Sequence, residues 1–424
     1  MLSIIFLLIL PSDSLELGEE WRLPLSQQTL QGRNPLLLCA ACSLWRTFAL
    51  ATPQLWRQIR IHIPQGISEA IARSKADHLL QWIQRSGSLP LALYISSERF
   101  FSQGRESIRV ASIISVLQHH ATRCRALYLQ KPSDNVLLEI FNAGRSPLKR
   151  QVRQPMPQWV QLTHLQIRGW ISHQQAFVIF RACSKLAWLS INFRLSRASA
   201  HLCKPPIILH DLVSIFLGSK SGCLSVVMKL ISAPSLREMC VATTGTTSRD
   251  GESLVHFLTR SSCTLDRLDL GGTFVSRDII PLLAHRCCSS LTSLIIRDFP
   301  GLRYSYPIVN DEILQRLDLH RGDSLCPHLN LLGLRRISGS HSAVQSMIES
   351  RIYPQACPTL HERLQYFHLQ WVEILDFDPK RLDEILKRSE MAYSLDLWDN
   401  RCGSASGWPQ GEAYFDIYYR TGES

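Results

Sequence analysis

Cys39 and Cys42 stand at the Cys-x-x-Cys spacing that suits a zinc ion or a redox dithiol. A structural zinc needs four ligands, and no second pair follows at a workable distance. The two thiols are therefore read as core residues one helical turn apart, beside Trp45. His119-His120 and Cys287-Cys288 are adjacent pairs, whose side chains leave a helix in different directions and make no metal site. Asp376 and Asp378, and Asp396 and Asp399, lie in turn-like sequence and are expected to cap helices rather than hold an ion. Gly403 to Gly407 has the outline of a nucleophile elbow, but Ala405 occupies the position the nucleophile would need. None of the HExxH, GxxxxGK[ST] or GxGxxG patterns occurs. The expectation is a chain that is not an enzyme and carries no metal or cofactor.

The elements around these residues must then serve something other than catalysis. The chain has 424 residues, 45% of them hydrophobic and only 19% charged, a composition that excludes a mostly disordered protein. Lysine and arginine total 46 against 35 acidic residues, giving +11. The basic residues are scattered, with no run of four, so they are read as solvated surface rather than a nucleic-acid footprint. Thirteen cysteines sit mostly in apolar runs, and no Asn-x-Ser/Thr site occurs. Both favour a reducing compartment, cytoplasmic or nuclear, with no membrane as partner.

Residues 1–10 (MLSIIFLLIL) lack a positively charged lead and are too short to span a bilayer. They read as a packed helix with no start signal, stopped by Pro11, which suggests a truncated or alternative start. After a polar stretch, Asn34 and Pro35 open a helix as N-cap and first helical residue. Leu38, Cys42, Trp45 and Ala49 recur on one face of it, and Thr52-Pro53 restarts a short helix carrying Leu55 and Trp56.

Residues 35–56, Pro-Leu-Leu-Leu-Cys-x-x-Cys-Ser-x-Trp-Arg-x-x-Ala-Leu-x-Thr-Pro-x-Leu-Trp, are very similar to the second half of an F-box in the large fungal F-box/leucine-rich-repeat family. Leu2 to Phe6 matches the later part of that family's preceding helix, whose Leu-Pro-x-Glu opening is missing. Residues 78–96, 257–268, 311–317, 325–329 and 347–351 resemble later stretches of the same family, so the likeness covers most of the chain. The resemblance implies an interaction protein that docks a Skp-type adaptor, and through it a cullin, while selecting a target for ubiquitin transfer by other subunits. The docking residues it points to are Ile5, Phe6, Pro35, Leu38, Cys42, Trp45, Leu55 and Trp56, large apolar anchors of the kind interfaces favour.

Independently of that likeness, leucine fills 64 of the 424 positions, and Leu-x-x-Leu-x-Leu or a close variant returns eight times. The copies are LTHLQI (162–167), LAWLSI (186–191), LVSIFL (212–217), LREMCV (236–241), LDRLDL (265–270), LTSLII (291–296), LNLLGL (329–334) and LQYFHL (364–369), with CRALYL (124–129) as a possible earlier one. Such spacing is that of leucine-rich repeats, each contributing a strand and a helix. The Asn or Cys that normally follows is absent, which predicts irregular turns. The expected fold is α/β: an F-box-like helical region over 1–60, clearest at 34–57, and a connecting helix and strand over 61–123. An irregular leucine-rich-repeat solenoid with a C-terminal cap follows over 124–398, then a tail over 399–424.

Residues alternating with the leucines should face away from the core, on the concave side. They include His164, Arg168, Trp188, Phe216, Arg267, Arg297, Arg335, Tyr366 and His368. Arg267 and Arg297 are placed to bracket an acidic or phosphorylated group of an unknown target, with the aromatics as apolar contacts. Two alternatives stand beside this reading: a basic solenoid that binds nucleic acid, and a repeat scaffold that has lost ligase docking.

Overall fold

The structure, a computed structural model, describes residues 35–64, 66–97, 109–130, 134–141, 159–194, 205–220, 223–244, 250–272, 274–298, 309–321, 323–352, 364–372 and 392–396, with the single positions 132, 384, 386 and 387. It is a mixed α/β architecture with eleven α-helices among these residues. Ile5 and Phe6, the helix expected over 1–10 and the tail over 399–424 lie outside them.

Two helices open the described chain, α1 (Pro35–Ala41) and α2 (Ser43–Leu50). The sequence reads as one helix here. The break falls at Cys42, whose backbone is extended (φ −160, ψ 169) and whose Sγ accepts a hydrogen bond from the Trp45 N–H at 3.4 Å. Cys42 thus caps α2 instead of lying on a shared apolar stripe.

A 13-stranded sheet follows, with its main strands laid side by side in chain order and every described pairing parallel. Its strands are β1 (Gln58–Ile63), β2 (Leu91–Ser97), β3 (Cys124–Gln130), β4 (His164–Ile171), β5 (Trp188–Phe193), β7 (Ser214–Lys220), β9 (Glu238–Thr244), β10 (Arg267–Gly272), β11 (Ser293–Asp298), β13 (Leu331–Ser338), β14 (Tyr366–Val372) and β15 (Ala392–Asp396), with the short β12 (Val309–Asn310) against β13. The array starts earlier than the leucine pattern suggests, because β1 and β2 join the same sheet. Two further short strands, β6 (Ile207–Ile208) and β8 (Ile231–Ser232), pair separately.

Helices connect the strands: α3 (Glu69–Arg85), α4 (Ala111–His119), α5 (Asp134–Phe141), α6 (His173–Ala182), α7 (Cys223–Leu230), α8 (Asp250–Ser261), α9 (Ser276–Leu283), α10 (Asp311–Leu317) and α11 (His341–Ile352). Gly87 turns the chain from α3 into β2 at φ +59, a conformation that costs glycine little. In the eight leucine copies each strand begins two residues after the first leucine. That leucine and the inward strand residues, such as Leu165, Ile191, Leu217, Leu268, Leu294 and Leu334, are buried in one continuous core with the helices.

Two devices join successive units. The carbonyl of the residue before each strand accepts two N–H groups from the next unit: Thr163 from Ala187 and Trp188, Ala187 from Val213 and Ser214, and so on through Asn330 with Gln365 and Tyr366, at 2.8–3.1 Å. This backbone ladder runs along the N-terminal edge of the strands. The second device is arginine at helix ends. Arg123 donates to the Leu89 carbonyl and Ser86 Oγ, beyond the end of α3. Arg260, in the last turn of α8, donates to the Met228 and Ile231 carbonyls of the preceding unit. Arg351, in the last turn of α11, donates to Leu317, Leu325 and Cys326. Each satisfies carbonyls that a helix end or turn leaves without partners.

Candidate functional site

The head formed by α1 and α2 is fixed from within. Trp56 is fully buried, donates its Nε1–H to the Ala49 carbonyl at 2.8 Å, and meets Trp82 of α3 edge-on at 5.0 Å. Arg85 lies over its ring, 4.6 Å from the centroid. Leu55, Ala49 and Trp56 form a small core with Leu38, Cys39, Trp45 and Phe48 packed on it. Of the expected docking residues, Leu55 and Trp56 are buried in this small core, and Pro35 is buried as well. Leu38 and Trp45 are half-buried, and Cys42 is exposed as a cap. The outer surface of the two helices instead carries Leu36, Leu37, Leu44 and Leu50, each more than 40% exposed. Four such exposed leucines on two short helices are uncommon on a surface that meets only water.

The second surface is the sheet face turned away from the helices. Register fixes its rows. One runs Tyr94, Tyr128, Gln166, Ser190, Phe216, Cys240, Asp269 and Ile295, and a neighbouring row contains His164, Trp188, Ser214, Glu238, Arg267 and Ser293. Tyr94 and Tyr128 form, with Ala92 and Ala126, an apolar cluster separate from the main core.

The expected residues fall on this face but divide into two chemically different parts. Towards the C-terminal end, the Arg297 guanidinium grips Asp269 with both Nε (2.9 Å to Oδ1) and Nη2. The two side chains are only 16% and 10% exposed. The acidic group beside Arg297 is thus the protein's own Asp269. Asp269, one register row from Arg297 and on the adjacent strand, reaches it first. Arg267 is half-buried nearby, and Glu238 accepts a hydrogen bond from Ser214 at 2.8 Å. Burial and the Asp269 carboxylate push the Cys240 thiol up to about 12, so it stays protonated. Arg335 sits in register with Arg297 and with Gln370. His368 pairs with Gly333, and Tyr366 is half-buried at the start of β14.

Towards the N-terminal end the face is aromatic and basic. His164 stacks on Trp188 with centroids 6.4 Å apart, and Trp188 meets Phe216 at a tilt of 44° and 5.5 Å. Burial, helped by the charge of Arg125, lowers the His164 pKa to about 4, so the ring is neutral at pH 7. Arg168 lies over Tyr128 at 5.5 Å, Tyr128 is 5.9 Å from Tyr94, and Arg60 lies over Tyr94 at 4.9 Å. Arg60 and Tyr94 escaped the sequence reading because β1 and β2 carry no full leucine signature, and Tyr128 lies in CRALYL, named only as a possible copy. The alternation in QIRIHI was the available signal.

Among the described residues no group of three or more His, Cys, Asp or Glu side chains could hold a metal ion, and no helix is long and apolar enough to cross a membrane. Neither a scan against protein-family models nor a search of curated proteins finds a match.

Proposed function

We propose that the chain is an F-box-type interaction protein, the substrate receptor of an SCF-type ubiquitin ligase. In this reading the α1–α2 head docks a Skp-type adaptor, which brings the cullin. The parallel strand–helix array is an irregular leucine-rich-repeat solenoid that holds a target protein on its strand face. Ubiquitin transfer belongs to the other subunits, and this chain supplies proximity and orientation. The observation that carries the reading is the head itself. Two short helices are locked to the array through Trp56 and Trp82, yet they leave Leu36, Leu37, Leu44 and Leu50 in solvent. A rigid support beneath an apolar patch is what a docking surface requires.

Hydrogen exchange of the full chain with and without a purified Skp adaptor tests it. Slowed exchange confined to residues 35–50 is the expected result. An adaptor that leaves those amides unchanged contradicts it.

A further inference from the structure

Two cysteines from successive units come together just before β10 and β11 begin. Cys263 follows the end of α8, one residue after Ser262, whose N–H closes the helix on the Leu258 carbonyl at 2.8 Å. Cys287 is the middle residue of a single 3₁₀ turn, Arg286–Cys288, and its thiol donates to the same Leu258 carbonyl at 3.6 Å. The Leu265 N–H donates to the Cys287 carbonyl at 2.8 Å, and the Arg286 guanidinium to Ser262 Oγ at 3.3 Å. These contacts hold the two turns together, and the thiols between them are hydrogen-bonded, with Cys263 as donor and Cys287 as acceptor. Adjacent strands of a sheet lie about 4.8 Å apart, inside the roughly 4.4–6.8 Å between Cα atoms that a disulfide spans.

The two sulfurs are chemically unequal. Burial pushes the Cys263 thiol up to about 12, and the neighbouring Cys287 adds to the rise. Burial raises Cys287 as well, but the hydrogen bond from Cys263, the charge of Arg286 and the Cys263 backbone N–H all pull it back. Cys287 is therefore the better placed to ionise and attack, and Cys263 to resolve. Both side chains are buried, yet each lies one residue from solvent. Exposed Ser262 and Thr264 flank Cys263, and exposed Arg286 precedes Cys287. The other neighbouring thiols lack this arrangement. Cys183 senses Cys124, and Cys288 senses Cys326, only as a charge, and burial raises both Cys183 and Cys288.

We propose that Cys263 and Cys287 form an oxidation site, which a hydroperoxide converts to a disulfide tying the α8 unit to the next one, and which a dithiol reductant reopens. The Cys287 thiolate attacks one oxygen of hydrogen peroxide and the O–O bond breaks. Hydroxide leaves, takes up the proton Cys287 released and becomes water, while Cys287 becomes a sulfenic acid. The Cys263 sulfur then attacks the Cys287 sulfur, the S–S bond forms and the S–O bond breaks. The departing hydroxide takes the Cys263 proton as a second water. Two thiols thus lose two electrons and two protons, and one peroxide is reduced to two waters. The link would close the chain between residues 263 and 287 and so hold α8 against the 3₁₀ turn that follows α9. The proposal goes beyond adaptor docking and does not depend on it.

The test treats the full chain with hydrogen peroxide in about tenfold excess, blocks the remaining thiols with N-ethylmaleimide and maps disulfides by mass spectrometry of an unreduced digest. The expected result is a Cys263–Cys287 link in about tenfold higher yield than any other pairing of the buried cysteines, lost on adding dithiothreitol. Amides of α8 should exchange about tenfold more slowly in the linked protein. Cys263→Ser should leave Cys287 as a sulfenic acid that dimedone traps, with no link formed. Should that variant fail to fold, the mapping on the unchanged chain decides alone. Cys263 and Cys287 recovered unlinked would overturn the proposal. So would a link no more frequent than Cys287 to Cys288 or Cys288 to Cys326. The same treatment in urea should erase the preference, and a preference that survives unfolding would show that the fold does not create the site.

Discussion

Replacing Arg351 with methionine isolates the arginine stitch between helical units. The side chain is 1% exposed and donates to three carbonyls, Leu317 at 2.8 Å, Cys326 at 3.1 Å and Leu325 at 2.9 Å. Methionine fills much of the same space but donates nothing, so three buried acceptors lose their partner. Each such loss costs about 1–3 kcal/mol. Removing a buried cation, whose pKa burial has already lowered to about 10, returns part of that. The net expectation is a loss of about 2–4 kcal/mol. In an array of stacked units the loss should be local, so hydrogen exchange is the proper assay. Amides of α10 and α11 should exchange roughly 30- to 1,000-fold faster, while those of β2–β5 stay as they were. Arg351→Lys keeps the charge but cannot span three carbonyls, and should lose about half as much. Unchanged exchange in Arg351→Met, or a larger loss in Arg351→Lys, would refute the assignment of this energy to the three hydrogen bonds.

Other expectations follow from the same structure. His164 is neutral in the fold because its pKa is lowered to about 4, so its share of stability is full above pH 6.5 and drains as pH falls towards 4, where the unfolded chain binds the extra proton. His164→Phe keeps a ring against Trp188, and its urea midpoint should fall less steeply across that window. Gly272 has φ +111, and a Cβ there would lie 1.9 Å from the Thr243 carbonyl oxygen. Gly272→Ala should therefore lose about 2–4 kcal/mol by urea unfolding, and near-wild-type stability would contradict the geometry. Asp269→Asn leaves the mostly buried Arg297 without its charge partner and should cost about 2 kcal/mol or more. Removing both groups in Asp269→Asn with Arg297→Met should recover part of it, and a fully additive double mutant would deny the pairing.

The strand array was legible because its signal is repeated and physically strict. Leu165, Leu189, Leu268 and Leu294 have no exposure at all, and a slip of one residue would turn every one of them outward. The break at Cys42 was not legible, since a cysteine one turn before Trp45 satisfies helical spacing as well as it caps a second helix. Nor was the Arg297–Asp269 pair, which joins residues 28 apart and depends on how β10 and β11 stack. Arg123, Arg260 and Arg351 read as ordinary basic residues near helix ends, and their carbonyl partners belong to the preceding unit. Leu55 and Trp56 lie buried in the head, and their apolar character alone does not tell which side of such a residue meets solvent. Packing against Trp82 decided that.

The exposed leucines of the head are proposed as a docking surface for a Skp-type adaptor. Isothermal titration of the full chain with a purified adaptor tests it most directly, run beside a Leu37→Glu, Leu44→Glu variant whose substitutions lie on exposed positions. A saturable one-to-one complex is expected, weakened by about a hundredfold or more in the variant while its unfolding midpoint is unchanged. No heat of binding, or equal affinity for both proteins, would contradict it.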